Sequence, residues 1–69
     1  MDYKDRMVIE YNELKERYVK LRKMLAASCA GKLDFVPSCP IGLLRDQLKA
    51  MDEYMFILES RAIIEDIDL

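Results

Sequence analysis

The chain has no histidine and no tryptophan, and only two cysteines, two glycines and two prolines in 69 residues. Each shortage excludes something. Without histidine the commonest general base and the commonest zinc ligand are both missing. Cys29 and Cys39 lack the close paired spacing of a metal knuckle. No nucleophile stands beside a plausible base, so the chain is not expected to be an enzyme, and no cofactor or metal is expected. No apolar run approaches the roughly 20 residues that a membrane-spanning helix needs. The opening Met1-Asp2-Tyr3-Lys4-Asp5 is polar and acidic, unlike a secretory signal. The expected location is therefore the cytoplasm, where a disulfide is not expected and the two thiols sit half-buried near a turn. Glycine and proline cluster between Gly31 and Gly42, which leaves a long uninterrupted segment on either side.

Those segments are rich in apolar and charged residues, 52% and 35% of the chain, a balance that folds. One domain spanning 1–69 is the most this length supports. A core so small needs very regular helix packing or association with other copies. The charge is unevenly placed. Residues 1–28 carry seven Lys or Arg against five Asp or Glu, a net of +2, whereas residues 41–69 carry three against seven, a net of −4. A half this acidic argues against nucleic-acid binding, which needs a basic face.

In the first segment Met7, Tyr11, Leu14, Tyr18, Leu21 and Leu25 recur at alternating gaps of four and three. In the second, Leu44, Leu48, Met51, Met55, Leu58 and Ala62 do the same. That is the spacing of helices packing along a seam. A further row on the second helix, Leu43, Ala50, Tyr54, Ile57 and Ile64, is interrupted by Gln47 and Arg61. The two rows together are wider than one partner helix needs. The predicted fold is all-α: an antiparallel two-helix hairpin with a longer connecting loop, assembling into a homo-oligomeric helical bundle. Helices are predicted over about 3–28 and 40–66, with the loop at about 29–39.

Local signals refine this. Asp2 is placed to cap the first helix, and Gly31 to end it in a left-handed conformation. Ser38 or Cys39 is expected to cap the second helix, with Pro40 in its first turn. Gly42 suggests a weak helix start or a close backbone approach. Leu33, Phe35 and Val36 are apolar enough to fold over the open end of the hairpin, Pro37 keeping the residues before it extended. The acidic tail should fray near Glu65 or Asp66, leaving Ile67 and Leu69 to dock on a neighbouring copy. Glu13–Arg17 and Glu16–Lys20 have the spacing of helical ion pairs.

Arg61 breaks an apolar row, so it must answer an anion: a carboxylate of Glu10, Glu65 or another copy, or a phosphate from outside. Arg offers phosphate a planar fork, Arg6 adds a second charge, and Tyr54 lies on the same face to stack or hydrogen-bond. Arg17, Lys20, Arg22 and Lys23 form another basic patch or a solvated face. The candidate ligand-binding residues are Arg6, Arg17, Tyr54 and Arg61. Phe56 and Ile63, one heptad apart on the polar side, make a candidate protein-contact patch.

A wider pattern runs along the chain: Glu10-Tyr11, Leu14-Lys15, Arg17-Tyr18, Lys20-Leu21, Leu33-Asp34-Phe35, Cys39-Pro40-Ile41, Gln47, Met51, Tyr54, Leu58-Glu59, Arg61-Ala62, Ile64-Glu65 and Ile67. It resembles a family of short helical phage and prophage proteins related to a crAss-like phage gene product. By analogy the chain is similar to compact, oligomeric phage anti-defence proteins that act as nucleotide sponges. The resemblance implies a phage-encoded protein in the host cytoplasm. It would capture a nucleotide immune signal, a cyclic nucleotide or an ADP-ribose derivative, at pockets between subunits. The alternatives are a protein-binding inhibitor that uses the acidic second helix, and a small structural or assembly module.

Overall fold

The computed structural model describes residues 2–69, and among them the only regular elements are two helices, α1 (Tyr3–Cys29) and α2 (Ile41–Ile64). They pack antiparallel as a hairpin measuring 42 × 19 × 18 Å. Asp2 starts α1: its side chain accepts the Asp5 N–H at 3.0 Å, and its carbonyl accepts the Arg6 N–H at 3.2 Å. Gly31 ends it. With φ at 71°, Gly31 donates to the Ser28 carbonyl, and Lys32 reaches back to Ala27 at 2.9 Å. These reversed bonds satisfy carbonyls that the last helical turn leaves open.

The start of α2 differs from the expected cap. Pro40, not Ser38 or Cys39, is the N-cap, and no side chain bonds the first turn. The Pro40 carbonyl accepts from both Leu43 and Leu44, at 3.1 and 3.2 Å. Once Pro40 holds the cap position, Ser38 and Cys39 lie too early in the chain to reach those amides. Nor does Gly42 make a close approach, since a Cβ built there meets nothing within 4 Å. The far end of α2 copies the end of α1 with a different residue. Asp66 takes the left-handed position at φ 55°, and Ile67 donates to the Ala62 carbonyl at 2.8 Å. This turn folds Ile67 onto the chain's own core, which corrects the expectation that it is left over for a neighbour.

The two heptad rows meet as a seam. Met7, Tyr11, Leu14, Met55 and Leu58 form the buried core, Ala62 and Leu25 are buried outside that cluster, and Leu58 has no exposure at all. Tyr18, Leu21, Leu44, Leu48 and Met51 continue the seam half-buried. In the connection Leu33, Pro37 and Cys39 are half-buried. The chain bends at Phe35, so Phe35 and Val36 point to solvent, 53% and 92% exposed, and do not cover the helix ends. Leu43, Ala50, Tyr54, Ile57 and Ile64 are all exposed in the single chain. The accessible surface is 5329 Å², where a compact monomer of this mass has about 4,500 Å².

The two glycines should respond oppositely to the same substitution. Gly31→Ala forces a side chain into left-handed backbone and is expected to cost about 1 kcal/mol. Gly42→Ala enters open space in a helix and should stabilise by about 0.5 kcal/mol. Urea unfolding of both variants checks the pair of signs.

Candidate anion-binding site

Helical periodicity puts Tyr3, Arg6, Met7 and Glu10 on one side of α1, and Tyr54, Arg61 and Glu65 on the facing side of α2. The antiparallel register then brings the two sets together near the N-terminus of α1. The Tyr54 hydroxyl donates to Glu10 Oε2 at 2.5 Å. The Tyr3 hydroxyl donates to Glu65 Oε1. Arg61 Nε lies 3.5 Å from Glu65 Oε2. Tyr3, Arg6, Met7, Glu10 and Arg61 line an open concavity of about 260 Å³. On the opposite side of the seam, the Tyr11 hydroxyl donates to Glu59 Oε2 at 2.6 Å.

These contacts tune the phenols. The hydrogen bond to Glu10 raises the Tyr54 pKa above its ordinary value; desolvation and the Glu10 charge add to this, and Arg61 opposes it. Tyr3 is raised by its bond to Glu65, then by desolvation and the Glu65 charge, with Arg61 again opposing. Tyr11 is raised by its bond to Glu59, with desolvation second.

The guanidiniums are less committed. The side chains of Arg61 and Glu65 are 49% and 26% exposed, and an ion pair this open contributes at most about 0.5 kcal/mol. Of the carboxylates expected to answer Arg61, Glu65 does so loosely, while Glu10 bonds Tyr54 instead. The Arg61 Nη groups and the whole Arg6 guanidinium have no hydrogen-bond or ion-pair partner among the described residues. Two fork-shaped cations thus border a concavity whose one lining carboxylate, Glu10, already accepts a hydrogen bond from the Tyr54 hydroxyl. Such a site can hold a phosphate or carboxylate.

Of the four candidate residues, Arg6 and Arg61 share this concavity, and Tyr54 borders it through Glu10. Arg17 does not join them. It lies eleven residues from Arg6 along α1, about 16 Å. Its expected pair with Glu13 is not formed, whereas Lys20 bonds Glu16 at 3.1 Å. Sequence reasoning missed the three Tyr–Glu bonds. The signal was present: the register that sets Leu25 opposite Leu44 also sets Tyr3 near Glu65 and Tyr11 near Glu59. Among the described residues no group of three or more Cys, Asp or Glu could hold a metal ion, and no helix is long and apolar enough to cross a membrane.

A family model described as Sequestin matches residues 1–64. No curated protein and no solved structure matches the chain.

The raised phenols set a direction for alkaline stability. The folded chain keeps these protons to higher pH than the unfolded chain, so their stabilisation is full below about pH 10 and is lost as pH rises through the folded values. Tyr11→Phe should cost about 1 kcal/mol at neutral pH and make the loss above pH 10 less steep. Urea midpoints measured from pH 7 to 11 check both parts. Parallel curves for the two proteins would contradict the second.

Proposed function

This chain belongs to the Sequestin family, and on that premise we propose that it is a phage-encoded anti-defence protein that binds and sequesters a nucleotide immune signal. The family's name speaks of sequestration. The observation that carries the ligand class is the pair of guanidiniums, Arg6 and Arg61, beside one concavity with their forks largely unpaired. The signal in this reading bears phosphate and is a cyclic nucleotide or an ADP-ribose derivative. Tyr54 stacks on its base or ribose. The protein binds without chemistry and is not an enzyme.

A concavity of about 260 Å³ on an open surface is smaller than the roughly 300–1,000 Å³ of sites that enclose a ligand. The pocket is therefore completed by another copy. Ile57 and Ile64, four before and three after Arg61, lie beside the concavity, and the exposed row they share with Ala50 and Leu43 supplies the apolar contact for that copy. Arg6, Glu10, Glu13 and Arg17 recur along one side of α1, so Arg17 contributes from the copy packed against it. Host cytoplasm, where such signals circulate, is the place of action. A second reading, an inhibitor that blocks a host protein with its acidic helix, draws on Phe56, which is 68% exposed amid Asp52, Glu53 and Glu59.

Thermal shift against a panel of cyclic nucleotides and ADP-ribose derivatives tests the ligand class, because a ligand that binds only the native state raises its melting temperature. Calorimetric titration with the best of them then tests the site. Arg61→Ala should weaken capture by about 1.5–3 kcal/mol, the worth of a hydrogen bond to a charged group, and leave the assembly intact by light scattering. Unchanged affinity in an intact assembly would remove Arg61 from the site. No shift with any compound would favour the protein-blocking reading.

A further inference from the structure

Each arginine of the concavity has a glutamate four residues on: Glu10 follows Arg6 on α1, and Glu65 follows Arg61 on α2. At that spacing two side chains are neighbours on one helix face, so each carboxylate is placed to pair with its own arginine. Neither pair closes. Arg6 makes no ion pair with Glu10, and Arg61 meets Glu65 through Nε at 3.5 Å. Spacing permits such a pair without forcing it: Lys20 bonds Glu16 at 3.1 Å, whereas Arg17 stands off Glu13. What sets Glu10 and Glu65 apart is a phenol from the opposite helix. Tyr54 of α2 donates to Glu10 Oε2, and Tyr3 of α1 donates to Glu65 Oε1. The arrangement is reciprocal. Each helix supplies one Arg–Glu spacing, and each supplies the tyrosine that claims the other helix's glutamate.

We infer that Tyr3 and Tyr54 are positioning residues: each draws a glutamate across the seam and away from its arginine fork, so that both guanidiniums stay available to an anion from outside. The inference rests on reading the concavity as an anion site, and it assigns that site its internal competitors, Glu10 and Glu65. A guanidinium fork is matched by both oxygens of one carboxylate. With Oε1 held by Tyr3, Glu65 has Oε2 alone for Arg61, and the contact stays long and single. Helix stability does not account for this acid. Arg before Glu is the weaker order of a pair four apart, and Glu65 is the C-cap of α2, at the negative end of the helix dipole. Asp2, another acid at this end of the hairpin, turns its side chain to the Asp5 amide. An incoming anion therefore displaces one loose contact at Arg61 and none at Arg6. Selectivity follows. A single carboxylate offers Arg61 no more than Glu65 does, whereas pyrophosphate brings more charge and oxygens on two phosphorus atoms for the two forks.

Calorimetric titration of the full chain with pyrophosphate tests this, together with the nitrogen-15 resonances of the arginine side chains in ligand-free protein. Tyr3→Phe frees Glu65 Oε1 to turn onto the Arg61 Nη groups. It should weaken pyrophosphate binding by about two- to fivefold, the reach of an open ion pair acting as competitor, and shift the Arg61 resonances before any ligand is added. Glu65→Gln removes the competitor, so Tyr3→Phe added to Glu65→Gln should bind as well as Glu65→Gln alone. A tyrosine that merely held the helices together would weaken binding in both backgrounds. Tyr54→Phe and Glu10→Gln should behave in the same way at Arg6, and helical circular dichroism verifies that each variant is folded. Affinity unchanged by Tyr3→Phe, or lowered equally with and without Glu65→Gln, overturns the inference and leaves the anion site standing. A wild type that takes up no pyrophosphate counts against the anion site instead. The ligand-free resonances then decide the positioning role: an Arg61 shift in Tyr3→Phe that Glu65→Gln abolishes supports it, and no shift overturns it.

Discussion

Everything in this hairpin depends on burying one apolar seam. Two helices can bury only the stripes that face each other, and among the described residues seven side chains are buried, Leu58 completely. The alternating gaps of four and three make that seam continuous over most of both helices. They also explain what lies outside it. Leu43, Ala50, Ile57 and Ile64 of the second row on α2, and a separate Phe56–Ile63 pair, are left exposed. The radius of gyration is 14.7 Å, where a compact domain of this length has about 11 Å. A chain this extended has surface to spend on contacts with other copies, and the assembly proposed above uses it.

The polar contacts follow the seam. Three tyrosines reach across to three glutamates, two on one side and one on the other. Each bond holds the register where the apolar contacts alone permit sliding. The same bonds shape the site. Glu10 accepts from Tyr54 and Glu65 from Tyr3, so the carboxylates nearest Arg6 and Arg61 are engaged by phenols. Arg61 keeps its loose contact with Glu65 through Nε, while its Nη groups and the Arg6 guanidinium have no partner among the described residues. Membership of the Sequestin family and this geometry point the same way, toward capture of a molecule.

Much of the fold was legible in the sequence because heptad spacing is a strong signal over long helices. Tyr3 to Cys29 and Ile41 to Ile64 follow from it, and the Asp2 and Gly31 ends follow from local backbone preference. The misreadings fall where one residue competes with another. Pro40 displaced Ser38 and Cys39 as cap. Asp66 took a left-handed turn that sequence reasoning expects of glycine, and so returned Ile67 to the core. Phe35 and Val36 are apolar, yet a bend carried them outward, because composition does not encode the direction of a loop. At the site, Arg6, Tyr54 and Arg61 were legible as interruptions and neighbours of an apolar row. Tyr3, Glu10 and Glu65 were not singled out for their bonds, because tyrosine reads first as core and glutamate as solvated surface. Arg17 shares a face with Arg6 but not a position along it, a distinction that periodicity alone does not make.

The most direct test of the account is how stability depends on protein concentration. If the exposed apolar faces are covered by other copies, unfolding is coupled to dissociation, and the urea midpoint of the wild-type chain must rise as concentration increases from nanomolar to high micromolar. The account predicts that rise, with assembly mass falling at the lowest concentrations. A midpoint that stays fixed across the whole range, with a monomer by light scattering throughout, would contradict it.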